Sequence, residues 1–312
     1  MQLNNRSVKV DIYQYAEDGT EKLHKTFEKN ISVKFNYEKF IGTAFFGTGK
    51  VSICGLDKAT TETLTTLCSQ EEALKERKQI KIEAGYGDKK ALIIDGSIIS
   101  AKPTMPPDVW IDCEVLNGHE RKQVIKSISI EGDMNIKELA EAIALQLDLK
   151  NGADCRIKND EVGKRFYQRK MSNLSYIGTL EDVLGEINKL YSFEEGDIYG
   201  VPVCYVDNET LIVDYANFSA VESNKRTHHK IDKDNGMVGL PEISMAGTIA
   251  NITTLLKSEV KVGDVIDLES YMIPKANGQY NVIGITYVGD LRGTSWYSVF
   301  SCRRIQWQRK HL

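Results

Sequence analysis

Alternating apolar and polar residues dominate the first third of the chain. The apolar positions fall into separate runs: Val8, Val10 and Ile12; Ile31, Val33, Phe35 and Tyr37; Val51 and Ile53; Ile80, Ile82 and Ala84; Ile111, Cys113 and Val115. A period of two is typical of a β-strand that turns one face to a core and the other to water or a partner. Glycines stand at the breaks, where turns need a permissive backbone. This third is predicted to be β-structure, interrupted at residues 60–77 by a short helix and a loop.

The middle of the chain changes to a helical pattern. After a predicted strand at residues 124–130, Asn135 can cap a helix and Glu138 can cap back. A second helix is predicted to begin at Thr179. The apolar stripes of the two helices are Ile136, Leu139, Ile143 and Leu147, and Leu180, Val183, Leu184, Ile187 and Leu190. Both stripes are predicted to be core, and neither helix carries a residue pair that suggests chemistry.

The last third returns to strands, predicted at residues 211–215, 248–256, 260–268, 280–287 and 296–302. Asn277-Gly278 is a strong signal for a tight hairpin turn, because both residues tolerate a positive φ. The order of elements is therefore β, then α/β, then β.

The segment 223–236 lies between the predicted strands at residues 211–215 and 248–256, and it is polar, with a basic first half. Its charged or titratable residues include Lys225, Arg226, His228, His229 and Lys230. With little to bury, it cannot offset an ordering cost of about 1–2 kcal/mol per residue. We predict an exposed arm that becomes ordered on contact with an acidic patch of another subunit or protein. An idle surface loop is the alternative.

Composition narrows the class of protein. The chain has 312 residues, of which 41% are hydrophobic, which is enough for two or three domains with real cores. A formal net charge of -4 argues against nucleic-acid binding driven by a basic surface. The N-terminus has no basic start followed by an apolar run, and no stretch approaches the ~20 apolar residues of a membrane span. We expect a protein made and folded in a cytoplasm.

Cysteine and histidine usage suggests no metal or cofactor site. The cysteines are scattered and never form a C-x-x-C pair, so reduced and mostly buried thiols are expected. The histidines show no ligand spacing relative to them. The residues concerned are Cys54, Cys68, Cys113, Cys155, Cys204 and Cys302, and His24, His119, His228, His229 and His311.

The candidate catalytic motifs in the sequence are incomplete. Gly85-Tyr86-Gly87 lacks the third glycine of a dinucleotide fingerprint, and Gly47-Thr48-Gly49-Lys50 is followed by Val51 where a P-loop needs Ser or Thr. Glu194, Glu195 and Asp197 cluster near a glycine, but carboxylates this close on a turn are usually solvated rather than placed across a cleft. We expect no catalytic residue.

Two stretches carry a resemblance to a known family. The first joins a glycine turn, a strand with a central glycine, a Pro-Pro-Asp-x-Trp stretch and a closing strand, and the second lies in the last third. The motif residues are Gly85, Tyr86, Gly87, Asp88, Gly96, Pro106, Pro107, Trp110 and Gly118, then Gly236, Pro241, Gly263, Asn277 and Gly278. Together they resemble the baseplate hub proteins of contractile-tail bacteriophages.

The resemblance implies a β-rich α+β fold with two tail-tube-like β-barrel domains, at residues 1–118 and 196–312, around a smaller α/β domain at residues 119–195. It further implies a non-enzymatic virion component. In that component a homotrimeric ring would connect the hexameric tail tube to the threefold central spike and to other baseplate proteins, and DNA would pass its pore without specific binding. The alternatives are a tail-associated cell-wall hydrolase or binding module, or the spike-hub of a bacterial contractile injection system.

The motif residues themselves are predicted to be architectural. Gly85 and Gly87 permit a positive φ, and Asp88 can bond to the local backbone. Pro106-Pro107 enforces an extended stretch before Trp110, which is expected to fill a barrel end or a domain seam.

Overall fold

The computed structural model describes residues 5–16, 20–41, 47–65, 77–117, 125–157, 161–195, 198–207, 210–215, 226–244 and 248–305. Its helices are α1 (Lys58–Thr65), α2 (Ile136–Gln146), α3 (Glu161–Gln168) and α4 (Leu180–Tyr191), with a 3₁₀ turn at Pro274–Ala276. Its strands are β1 (Arg6–Tyr15), β2 (Glu21–Phe27), β3 (Ser32–Phe40), β4 (Thr48–Cys54), β5 (Arg77–Tyr86), β6 (Lys89–Pro103), β7 (Trp110–Leu116), β8 (Lys126–Met134), β9 (Ala153–Cys155), β10 (Met171–Gly178), β11 (Phe193–Glu195), β12 (Ile198–Gly200), β13 (Pro202–Asp207), β14 (Thr210–Tyr215), β15 (His228–Ile231), β16 (Glu242–Ser244), β17 (Ile249–Leu255), β18 (Val265–Leu268), β19 (Gly278–Asp290) and β20 (Trp296–Arg304).

One large sheet unites the first and last thirds of the chain. Its order is β16-β17-β20-β19-β3-β4-β7-β6-β5-β1-β2, and β18 and β15 extend it beside β19. The junction is the antiparallel pair β3–β19, in which Tyr37 faces Tyr287. In the part of the chain that the structure describes, this sheet is open and no closed barrel forms. The predicted β-rich α+β class is confirmed. The two expected barrels are not detected as closed barrels among the described residues, where β3 and β19 pair directly across the two thirds.

A single strand turns a corner of this sheet. β6 pairs with β5 up to the Gln79–Ser97 pair and with β7 from the Ser97–Leu116 pair onward. Gly96 stands at the exchange of partners, and a Cβ there would lie 2.8 Å from the Val115 side chain and 3.1 Å from the Leu116 backbone. Glycine is common at such bends, because only its small size lets the strands approach. Gly96 is therefore architectural in this fold.

Two hydrophobic cores lie on either side of a small sheet. The first core is formed mainly by buried side chains of the large sheet, of which Val8 is the first along the chain and Cys302 the last. The second contains the stripes of α2 and α4 together with Phe166. Between them, β13, β14 and β9 form a three-stranded sheet. Its residues alternate between the cores: Tyr205 and Ile212 face the first, and Cys204 and Val213 face the second.

The structure thus packs the strands Pro202–Asp207 and Thr210–Tyr215 against the helices of the middle segment. The domain boundaries at residues 118/119 and 195/196 stay a prediction.

Both predicted helices of the middle segment form, and the predicted cap at Asn135 is present. The Asn135 side chain accepts from the backbone of Lys137 and Glu138, and the Glu138 carboxylate accepts from the Asn135 backbone. Thr179 and Asp182 make the same reciprocal arrangement at the start of α4. Such capping satisfies backbone donors that a helix start leaves open. The apolar stripes are buried as predicted, except that Leu190 is only partly buried.

The Asn277-Gly278 signal was interpreted wrongly. A loop with a 3₁₀ turn joins β18 to β19, in place of a two-residue hairpin. Asn277 ends that turn, and its side-chain oxygen accepts from the Ser270 backbone at 2.7 Å. Gly278 begins β19 with φ +147°, next to the guanidinium of Arg304. Gly278 supplies the backbone freedom, whereas Asn277 has φ −60° and contributes its side-chain bond, in a wider loop than the sequence suggests.

Candidate functional site

The Gly85-Tyr86-Gly87-Asp88 motif forms the hairpin between β5 and β6. Tyr86 pairs with Lys89, and Gly87 and Asp88 are the two turn residues. Gly87 has φ +57°, which suits the first central position of a type II′ turn. A Cβ on Gly85 would stand 1.9 Å from the Lys89 carbonyl oxygen. The glycines are thus required by the turn and by a close backbone approach, as expected for an architectural motif.

This end of the sheet is fastened to the last third by Arg6. The Arg6 guanidinium donates to the carbonyl oxygens of Asp290 at 2.9 Å and Gly293 at 2.7 Å. It also lies over the Trp296 ring, 5.5 Å from the ring centre. Trp296 is 1% exposed and meets Phe35 of β3 edge-to-face at 5.5 Å. We call the contact between the first and last thirds of the chain the seam, and Trp296 is its central buried side chain.

Trp110, which the sequence favoured for that role, lies at the edge of the core and is half-buried. Its backbone exchanges hydrogen bonds with Thr104 across the loop that holds Pro106-Pro107. The Lys34 ammonium covers its ring at 4.7 Å. Trp110 was expected to fill a barrel end or a domain seam. In the structure β7 begins at this residue, and the half-buried ring meets a lysine on the outer face of the sheet.

The remaining motif positions are spread over the last third. Gly236 and Gly263 have φ of +88° and +92°, which favours glycine at both. Pro241 precedes the short edge strand β16, a place where the missing backbone donor is harmless. Gly118 lies outside the described residues. The described motif residues do not line one cleft. They lie at turns, at the bend of β6 and at the start of β7.

The segment 223–236 differs most from its prediction. Residues 228–231 form β15, which pairs in parallel with β18, and Ile231 is fully buried. Arg226 makes a two-pronged ion pair with Asp214 at 2.7 and 2.8 Å. The expectation of an arm that is not ordered by its own chain is wrong for residues 226–232, although Thr227, Lys230 and residues 233–235 are exposed. Residues 223–225 lie outside the described residues, and docking on a partner stays a prediction. Carboxylates on other elements supply the partners that composition alone could not show.

The other basic side chains of this strand also lie against carboxylates. His228 Nδ1 lies 2.8 Å from Asp267, His229 Nε2 lies 3.0 Å from Asp264, and the Lys230 ammonium lies 2.9 Å from Glu269. The two histidines therefore face separate carboxylates and do not form a common acid–base pair.

One cluster combines an acid, an imidazole and a hydroxyl on the outer face of β1 and β2. Asp11 is 5% exposed and accepts from Thr26 and, at 2.9 Å, from the Lys9 ammonium. His24 Nε2 lies 3.3 Å from Asp11 and 3.5 Å from Thr26. A catalytic triad needs the base to use its two ring nitrogens separately, one for the nucleophile and one for the acid. Here both contacts share Nε2, so the cluster is structural.

The Asp11 cluster gives a prediction for acid stability. Burial alone would raise the pKa of Asp11, but the bonds from Thr26, Lys9 and His24 outweigh it and hold the pKa below its usual value. A carboxylate with a lowered folded-state pKa contributes stability above its unfolded pKa of about 3.9, and that stability is lost as pH falls through the folded pKa. We expect Asp11→Asn to remove this acid-dependent loss of stability.

Urea unfolding between pH 6 and pH 2 measures the effect. The profile of Asp11→Asn should be flatter than that of the wild type below about pH 4. Thr26→Val, which removes one donor, should lie between them. Three profiles of equal slope would contradict this account of the cluster.

Three of the described thiols lie in surroundings that disfavour reactivity. Burial raises the pKa of Cys113 to about 12 and also raises that of Cys204 and Cys302, which disfavours the nucleophilic thiolate. Glu194 is exposed on β11, while Asp197 lies outside the described residues. Within the described ranges, no three His, Cys, Asp or Glu side chains come together as a metal site, and no helix is long and apolar enough to span a membrane.

Comparison with known proteins places this fold among tail proteins of phages and related systems. A 43 kDa tail protein of prophage MuSo2 from Shewanella oneidensis matches with a TM-score of 0.56 and 8% identity, over 95% of this chain and 98% of that one. A tail protein from Neisseria meningitidis MC58 matches with a TM-score of 0.56 and 10% identity, over 96% of each chain. The c3393 protein of E. coli, a component of the type VI secretion system, matches with a TM-score of 0.58 and 10% identity, over 88% of this chain and 74% of that one. At these identities the likeness shows the fold alone.

The family of the chain is shown by the match of its sequence to a family model. The model of the baseplate hub gp41 family matches residues 9–302, and the chain belongs to that family. It is thus a structural component of a phage tail baseplate, and the predicted resemblance is confirmed. No curated protein matches the chain in sequence.

Proposed function

We propose that this hub protein forms a homotrimeric ring that connects the tail tube to the central spike. The family match over residues 9–302 carries the proposal. The open sheet supports it, because among the described strands β2 and β16 are the outer ones, a neighbouring subunit can cover such edges, and uncovered edges favour aggregation. The partners are the tube protein, the spike protein and the surrounding baseplate proteins, and the protein is assembled in the host cytoplasm.

The ring would enclose a pore through which DNA passes without specific binding. A net charge of -4 favours such passage, because a basic lining would bind phosphates. The pore-facing side chains are expected to be mainly polar or acidic. Filter binding of double-stranded DNA at physiological salt should show no sequence-specific retention, and a map of the assembled ring with a strongly positive pore would contradict the proposal.

Oligomeric mass is the direct test. Light scattering of the chain with its spike partner should show three copies, each of 35.1 kDa, in the complex. The chain alone is expected as a trimer, or as a monomer that trimerises on assembly. Interfaces of homo-oligomers of this kind bury on the order of 2,000 Å² or more. A strict dimer, alone and with the partner, would overturn the hub proposal.

A hub of a contractile injection system is the second candidate, since the E. coli match is described as a type VI secretion component. The two readings differ in the neighbouring genes, which encode virion proteins in one case and an injection apparatus in the other. A cell-wall hydrolase is tested by a zymogram on peptidoglycan, in which a cleared band would favour that alternative over a purely structural role.

A further inference from the structure

Strand β15 occupies an unusual place in the large sheet. It lies off the main path of the sheet and pairs with β18 alone among the described strands. The pairing is parallel and covers four residues, from His228–Val265 to Ile231–Leu268. Parallel pairs are slightly less stable per residue than antiparallel ones, and so short a strand gains little from its backbone bonds. Other contacts must therefore hold β15 in place.

A buried ion pair stands directly before this strand. The Arg226 guanidinium binds both oxygens of Asp214, at 2.7 and 2.8 Å, and its side chain is 9% exposed. It also donates to the Gly263 carbonyl at 3.4 Å. Asp214 belongs to β14 of the small sheet, and Gly263 belongs to the loop that leads into β18. One side chain therefore anchors the start of β15 to two elements.

The surroundings of Gly263 fit this pair closely. A Cβ on Gly263 would lie 3.3 Å from Arg226 Nη1 and 3.4 Å from the Asp214 carboxylate, and the residue has φ +92°. A side chain would thus be strained and would press on the ion pair. In contrast, the Lys230–Glu269 pair at the other end of β15 joins two side chains that are 59% and 63% exposed. Exposed pairs contribute little, whereas a buried pair with good geometry can fix one arrangement over others.

We propose that the Arg226–Asp214 pair is a latch on β15, which is a removable edge strand of the large sheet. With the latch closed, β15 covers the edge of β18. With it open, residues 226–231 leave as a unit, while the pairing of β3 with β19 stays intact. This conformational device is independent of the proposed trimer, because its two states lie within one chain.

Two backbone amides report directly on the latch. The Val265 amide donates to the Thr227 carbonyl and the Glu269 amide donates to the Ile231 carbonyl, both at 2.9 Å. Both bonds exist only while β15 is docked. Amide hydrogen exchange measures such local opening separately from global unfolding.

The test compares exchange in the wild type with three variants. Arg226→Met removes the latch and should raise exchange at Val265 and Glu269 at least about tenfold, while amides of β3 and β19 keep their rates. Gly263→Ala perturbs the latch without removing a charge and should raise exchange at the same two amides. Lys230→Gln, the control on the same strand, should leave them unchanged. Unchanged exchange at Val265 and Glu269 in Arg226→Met would overturn the proposal, and so would an equal rise in β3 and β19, which would mean that the whole sheet opens together.

Discussion

Replacing Trp296 by alanine is expected to lower the free energy of unfolding by about 3–5 kcal/mol, the range for removing a fully buried large aromatic. The ring is 1% exposed and lies between Phe35 of β3 and the Arg6 guanidinium. The substitution therefore leaves a cavity at the seam where the first and last thirds of the chain meet. Urea denaturation followed by far-ultraviolet circular dichroism measures the loss.

Trp110→Ala is the matched control. It removes the same side chain from a half-buried position at the start of β7, where a lysine covers the ring. We expect a loss of about 1 kcal/mol, which is typical of a position away from the packed core. Equal losses in the two variants would show that the seam is not built on Trp296.

The second large effect is expected at Gly85. A Cβ there would stand 1.9 Å from the Lys89 carbonyl oxygen and 3.0 Å from the Lys90 Cα, so the backbone of the hairpin must move. Overpacking that displaces backbone costs about 1–3 kcal/mol. Gly85→Ala is expected at the upper end of this range, because the obstructing atoms are main chain. The same denaturation experiment measures it.

Gly185 offers the opposite case. It lies inside α4, and a Cβ there meets nothing within 4 Å. Gly185→Ala should stabilise the protein by about 0.5–1 kcal/mol, because alanine loses less freedom than glycine in a helix. If Gly85→Ala were as well tolerated as Gly185→Ala, the hairpin motif would not be a steric requirement.

Local structure could be predicted from the sequence because it depends on neighbours along the chain. The period-two runs mark β1, β3, β4, β5 and β7, whose apolar positions are buried. The caps at Asn135 and Thr179 depend on a residue three positions later, so spacing alone identifies them. The same locality explains why the positive φ of Gly87 could be predicted. Gly85 has no positive φ and is required instead by a close backbone approach, so that part of the expectation is wrong.

Contacts between residues that are distant along the chain could not be predicted from the sequence. Alternation cannot say which strands are neighbours, so the pairing of β3 with β19, and with it a single open sheet, could not be foreseen. Nor could the sequence show that Asp214, Asp264 and Asp267 supply partners to the basic segment before Gly236. Trp110 carried the motif signal, yet burial depends on where the strand lies in the sheet, and Trp296 is buried whereas Trp110 is half-buried.

The pairing of β3 with β19 has a consequence for synthesis. Phe40 pairs with Gly284, a separation of 284 − 40 = 244 residues along the chain. A ribosome therefore finishes the first third of the protein long before the strand that completes its sheet has been made. Non-local pairing of this kind slows folding, because the entropy of closing the loop is lost before the contact is gained. During that interval β3 offers an unsatisfied edge to other nascent chains. Slow expression at low temperature, or expression with a holding chaperone, should yield a larger fraction of native protein than rapid expression at about 37 °C.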